Sequence, residues 1–186
     1  LARLAAALLF SPSAERRAAL SREATAMARR LNDPATLARV LYDSHVAAWG
    51  AANPEDRLSI AREVVQLAEH CGDQLLALQG RALRLGDLLD IGDMVTFRLE
   101  AEFYERQTRR LRQIRQLWQA PLIQATLAAL EGRFEDAESL VGSGLQLGQQ
   151  AQHPGVLPAA QAVFGMIRMA QGRASELEGQ IRQSVR

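Results

Sequence analysis

The chain contains no lysine: all 22 of its basic residues are arginine, set against 21 acidic residues for a net charge of +1. That balance leaves no electrostatic footprint for direct nucleic-acid binding or for an anionic membrane. The arginine bias matches the codon usage of a GC-rich genome. Aromatic residues fill only 5% of the 186 positions and β-branched runs are missing, so the usual strand signals are gone. The lone Cys71 excludes an internal disulfide and fits a reducing compartment, from which a cytoplasmic location is expected. No apolar run approaches the ~20 residues a membrane helix needs, so no membrane partner is expected. The phosphate-loop pattern Gly-x-x-x-x-Gly-Lys is missing, as is any Ser-His-Asp or Cys-His arrangement. An enzyme, a resident cofactor and a metal site are therefore not expected.

What is present is alanine, leucine and a rhythm. The residues are 48% hydrophobic, enough for a core, and their composition favours helix nearly everywhere. The stretch Leu130-Glu131-Gly132-Arg133-Phe134-Glu135-Asp136-Ala137-Glu138 reads as a tight turn between antiparallel helices. In it Gly132 ends one helix, Phe134 plugs the space between the two, Ala137 is small at their crossing, and Glu138 faces solvent. Gly92, Gly132 and Gly172 fall at equal steps of 40 residues, with Ala52-Asn53 before Pro54-Glu55-Asp56 filling the slot one step earlier. A second series keeps the same step: Leu31-Asn32-Asp33, Cys71-Gly72-Asp73, Leu111-Arg112-Gln113 and Gln152-His153. Two interleaved turn series with one period mean a repeated two-helix unit.

The expected architecture is all-α: an α-α superhelix of about four to five hairpins, forming one domain over residues 1–186. The helices are placed at Leu1–Phe10, Ala14–Leu31, Ala35–Gly50, Glu55–Cys71, Gln74–Ile91, Met94–Leu111, Ile114–Glu131, Phe134–Ala151 and Gly155–Gln171, with Glu176–Val185 as a polar closing segment. Leu1, Leu4 and Leu8 share a face of the first helix, which argues against reading Leu1–Ala14 as a signal peptide. The apolar spacing of Ile60, Val64, Leu67 and Ala68 marks another buried stripe. Pro158 falls in the first turn of its helix; Pro121 leaves open whether its helix begins near Ala120 or kinks there. The chain begins without Met, so it is expected to be a piece of a longer protein.

Several clusters invite chemistry and are better read as structure. His70-Cys71-Gly72-Asp73 holds three metal-ligand types, but His45 and His153 are isolated and no second cluster faces it; Asp73 suits a helix cap. Gly142, Gly144 and Gly148 lie mid-helix with no preceding strand, so close helix approach is preferred over a dinucleotide loop. Arg106, Arg109, Arg110, Arg112 and Arg115 form a basic run, yet Glu102 and Glu105 each precede an arginine by four, the spacing of helix-surface ion pairs. Arg81, Arg84, Asp87 and Asp90 step along one helix, with Arg84 expected to pair with Asp87. Tyr42, His45 and Trp49 share a face of the preceding helix.

The segment Glu131–Ala137 resembles the interhelical signature of tetratricopeptide repeats, and Ala125 and Gly165 fall where that family places a small residue; the period is 40, against about 34 in that family. Three longer stretches resemble the helical-repeat region of large ATP-binding bacterial regulators of the LuxR-type, maltose-regulator-like and AfsR-like groups. These are Ala18–Ala24 leading to Asp33–Leu37, Ser44–Gly50 and Arg84–Asp93. The resemblance implies a non-catalytic interaction and regulatory module, attached to an ATPase core and an output domain. It would bind a protein or peptide, or sister domains of its own polypeptide, along a concave groove. An effector-sensing domain for a small molecule and a free-standing scaffold are the alternatives. In tetratricopeptide-like stacks the first helix of each hairpin faces the groove. That places Arg39, Tyr42, Val46 and Trp49 there, followed by Gln79, Ala82, Gly86 and Asp90. Gln119, Leu122 and Thr126 follow, then Met166 and Met169. An aromatic, flexible methionines and few charges suit an apolar peptide or a partly apolar effector.

Overall fold

The computed structural model describes residues 1–9, 13–50, 52–111 and 117–177. Among them are nine α-helices, one 3₁₀ helix and no strand. No helix is long and apolar enough to cross a membrane among the described residues. The chain divides into two units, Leu1–Glu100 and Ala101–Arg186.

In the first unit, α1 (Ala2–Ala7) and α2 (Ala14–Leu31) both pack on α3 (Pro34–Ala47), which packs in turn on α4 (Pro54–His70); α4 packs on α5 (Gln74–Ile91), and α5 also touches α3. The sequence starts these helices by one device. Ser13, Asp33, Asn53 and Asp73 cap α2 to α5, each side-chain oxygen accepting a backbone N–H of the first turn. Asp93 does the same for α6 (Met94–Leu111), taking the Thr96 N–H at 3.1 Å. An N-terminal turn leaves four N–H groups without partners, and a short polar side chain at this position satisfies one of them. The caps recur every 20 residues, one per helix. Asp73 is among them, as its sequence context suggested.

The helix ends keep the same beat. Backbone φ is positive at Asn32, Gly72 and Gln152 in one series and at Gly92, Gly132 and Gly172 in the other. The turns at Gly72, Gly92, Gly132, Gln152 and Gly172 close alike: at Gly132 the Gly132 N–H donates to the Ala129 carbonyl at 3.1 Å and the Arg133 N–H to Ala128 at 2.9 Å. A φ of 77° at Gly132 would strain any residue with a Cβ, which is why glycine ends this helix. One slot differs. The left-handed residue after α3 is Gly50, two positions before the expected Ala52, because α3 stops at Ala47. The Arg112 slot lies outside the described residues.

The second unit holds α7 (Gln119–Leu130), α8 (Phe134–Gln150) and α9 (Val156–Ala170), each packed on the other two, and a 3₁₀ turn at Ala174–Glu176. Its core gathers Trp118, Leu122, Ala125, Ala128, Ala137 and Ile167, with Phe134 packed against it. Ala137 is fully buried, as the turn motif implied. Gly144 and Gly148 account for the glycine cluster: a Cβ on them would meet the Leu122 side chain at 2.9 Å and Val156 at 2.1 Å. Gly142 faces open space and shares no such role.

Three expectations are corrected, and one open alternative, at Pro121, is decided. The first helix packs through Ala2 and Ala5, while Leu1 and Leu4 are exposed; small residues permit the close approach that its leucines would prevent. Pro121 is the third residue of α7, which begins at Gln119, so its missing N–H falls among donors that have no helical partner. Glu138 is not a free surface residue, for it accepts hydrogen bonds from Arg168 and, at 3.0 Å, from Gln171. The closing segment begins as the 3₁₀ turn, and most of Glu176–Val185 lies outside the described residues.

Candidate functional site

The first unit brings one pair of helices together as the repeat requires. Arg39 Nη1 of α3 donates to Gln79 Oε1 of α5 at 3.4 Å, and these residues are one period of 40 apart. Arg39 also reaches Asp73 at 3.9 Å, and its guanidinium lies 5.9 Å from the Tyr42 ring. Tyr42 is half-buried against the core, and that burial, with the Asp43 charge second, raises its phenol above the ordinary range. Farther along, Trp49 lies across Gly86: a Cβ there would stand 2.7 Å from the indole. Val46 and Ala82 are half-buried between these ends. The predicted residues Arg39, Tyr42 and Val46 on α3, Trp49 in the turn that follows it, and Gln79, Ala82, Gly86 and Asp90 on α5 thus belong to two touching helices and the end of one of them.

Beneath Trp49 sits a cluster of buried charged groups. His45 Nε2 meets Asp87 Oδ2 at 2.7 Å, with both side chains fully buried. A carboxylate only accepts, so this contact places the ring proton on Nε2. Arg57 Nε of α4 donates to the other oxygen, Asp87 Oδ1, at 2.9 Å; its Nη1 donates to the Ala52 carbonyl at 3.0 Å and its Nη2 to Asp90. The Trp49 ring covers the Arg57 guanidinium at 5.3 Å, a cation–π contact, and remains 45% exposed on its outer side. Three helices are therefore pinned together by one arginine and two aspartates under an aromatic lid.

The pairing of Arg84 with Asp87 does not occur. Asp87 faces α3 and α4, whereas Arg84 reaches Glu100 at 3.4 Å, and Arg81 binds Glu69 at 2.7 Å and Glu100 at 2.8 Å. Burial lowers the Arg84 pKa, and its Nε is buried without a hydrogen-bond partner. His45 Nδ1 is likewise unpartnered, so the Asp87–His45 pair has no hydroxyl or thiol at its far nitrogen. Sequence reasoning noted His45 and Asp87 separately but missed Arg57 and the pairing of all three. The signal was a lone Asp87 between Leu85 and Leu88 on an apolar stripe, 42 residues from His45, close to one period.

In the second unit the predicted residues are placed differently. Leu122 and Thr126 are buried, the Thr126 hydroxyl donating to the Leu122 carbonyl at 3.1 Å. They fill the α7–α8 core where open groove positions were expected, since α7 is apolar nearly all round. Gln119 accepts from the Tyr104 hydroxyl. Met166 packs against the core and Met169 is 60% exposed. The helix-surface pairs of the basic run are formed, Glu102–Arg106 at 3.7 Å and Glu105–Arg109 at 2.6 Å; Arg112 and Arg115 lie outside the described residues. Cys71 is exposed, and no group of three metal-ligating side chains occurs among the described residues.

An all-helical protein built on a repeated beat, with one exposed tryptophan anchored over a buried ionic cluster, is the class these features define. In comparison with known proteins, the chain matches no family model and no curated protein.

Proposed function

We propose that the chain is a non-catalytic interaction module that recognises a protein or peptide across the α3–α5 face. The observation carrying this reading is Trp49: half-exposed, yet held from below by Arg57 and Gly86. A large aromatic that is already immobilised loses little entropy on binding, which is the property of an interface anchor. Asp90 binds the same Arg57 beneath it, and Arg39 and Gln79 place hydrogen-bonding groups at the other end of the α3–α5 face. In this reading the 40-residue units stack as a tetratricopeptide-like superhelix. The module is a cytoplasmic part of a larger bacterial regulator, of the LuxR-type, maltose-regulator-like or AfsR-like kind, whose ATPase it biases. The recurring caps and turns support the repeat, and the resemblance of Ser44–Gly50 and Arg84–Asp93 supports the regulator.

Photocrosslinking tests it. A benzophenone side chain placed at Tyr42 or Gln79 of the full-length polypeptide should crosslink to one defined protein segment, and the same probe at exposed Glu135 should not. Equal or absent crosslinking from all three positions refutes the α3–α5 face. Reading the gene upstream for a phosphate-binding loop separates a regulator from a free-standing scaffold.

A further inference from the structure

The first unit carries a second feature that the α3–α5 face does not use. α2 and α4 occupy the same place in successive repeats, and both lie on α3, with the Arg29–Glu63 ion pair joining them at 3.0 and 2.9 Å. Between them runs a cleft of about 530 Å³, floored by Leu41, Ser44 and Ala48 of α3 and its cap, and closed on one side by Ile60. The cleft has room because Ala18, Ser21 and Ala26 on its α2 wall and Ser44 and Ala48 on its floor are small, leaving space that larger side chains would fill. Its volume falls within the range of small-molecule sites, about 300–1,000 Å³.

Its polar groups lie on the α2 wall and where that wall meets the floor. Thr25 and Ser44 hydroxyls share a hydrogen bond at 3.4 Å, while Ser21 Oγ is buried with no partner. A buried hydroxyl without a partner is destabilising, and a ligand oxygen would satisfy it. Arg22 lines the same cleft one residue on and is exposed. Arg29 is already bound to Glu63, whereas no carboxylate pairs with Arg22 among the described residues. An apolar cleft with one uncommitted guanidinium and one unsatisfied donor is complementary to a single anionic head on an apolar body.

We propose that the α2–α4 cleft binds a small amphipathic carboxylate, its carboxylate on Arg22 and the Ser21 hydroxyl and its chain along Leu41, Ala48 and Ile60. The site is separate from the α3–α5 face, so either assignment can fail alone. Isothermal titration of the whole chain with decanoate, and in parallel with decanol, tests it. Decanoate binds at one per chain and decanol at least about tenfold more weakly, the difference a charge-assisted hydrogen bond makes. Arg22→Ala on the exposed rim weakens decanoate by a similar factor without altering the helical circular dichroism. Ala18→Trp, also exposed, fills the cleft and abolishes binding, while Trp49→Ala leaves it intact. Equal affinity for decanol, no binding at all, or binding that survives Ala18→Trp would each overturn the proposal. So would a concentration-dependent self-association that Ala18→Trp removes, since the cleft would then belong to a second copy.

Discussion

Equivalent positions in the two units hold opposite chemistry. Where the first unit has His45, Arg57 and Asp87, the residues two periods on are Ala125, Ala137 and Ile167 (one period on for Asp87 is Leu127), every one of them buried. Trp49 corresponds to buried Ala129, and Tyr42 to buried Leu122. Caps differ too: α2 to α6 begin with a side-chain acceptor, whereas α7, α8 and α9 have none. Packing three neighbouring helices does not need the ionic cluster, because the second unit packs its three through alanine, leucine and isoleucine. A buried ion cluster that is not required for packing points to a task for its lid, and that lid is Trp49.

The largest effect should come from splitting the cluster. Asp87→Ala leaves Arg57 and His45 buried without their shared carboxylate, a loss of about 3–5 kcal/mol. Denaturant unfolding followed by circular dichroism measures it, and a cost under about 1 kcal/mol would mean that water already reaches the site. The counterpart in the second unit is steric. Ala137→Leu and Gly148→Ala overpack contacts with no spare room and should each cost about 1–3 kcal/mol, with exposed Glu135→Leu as the control. If the control costs as much, the α7–α8 crossing is misassigned.

A third test separates the tryptophans. With Trp118 buried at 5% exposure and Trp49 at 45%, acrylamide should quench Trp118→Phe protein strongly and Trp49→Phe protein weakly. Similar quenching of both would erase the distinction between lid and core. The smallest effect concerns acid. Hydrogen bonds from the Thr36 and Thr96 hydroxyls, then from the corresponding backbone N–H groups, hold the Asp33 and Asp93 carboxyls below the ordinary range. Their ionised forms are favoured by the fold, so that stability is present above the unfolded value near pH 4 and is lost as pH falls through the lower folded value. Between about pH 5 and 3 the wild-type melting temperature should therefore fall more than that of Asp33→Asn with Asp93→Asn, which keeps the caps without the charge. Parallel curves would show that the caps do not couple to protonation.

Much of the fold was legible because it is local. Glycine or asparagine at a helix end, aspartate three residues before a first-turn N–H, and an apolar stripe at helical spacing each act within one turn of chain, so Gly132, Asp73 and Val64 could be placed from sequence. The site was legible in part. Counting from the turns put Arg39 and Gln79, 40 residues apart, on one candidate face, and they do meet; it set no pairing of Trp49 with Gly86, which lie 37 residues apart. Partner choice was not legible. Asp87 could face Arg84 on its own helix or Arg57 on another, and which it does depends on side-chain direction around the α5 axis. Leu122 and Thr126 were misplaced for the related reason that α7 is apolar on nearly every face, so periodicity gives it no outside.

The central claim is that the ionic cluster holds Trp49 in place more than it stabilises the unit. Its most direct test is the triple variant His45→Leu, Arg57→Met, Asp87→Leu, which restores the apolar character of the second unit at similar volume. Unfolded in urea beside Asp87→Ala, it should retain wild-type stability or exceed it, by up to about 4 kcal/mol, while Trp49 becomes more readily quenched by acrylamide. A triple variant as unstable as Asp87→Ala, with Trp49 quenching unchanged, would contradict the account.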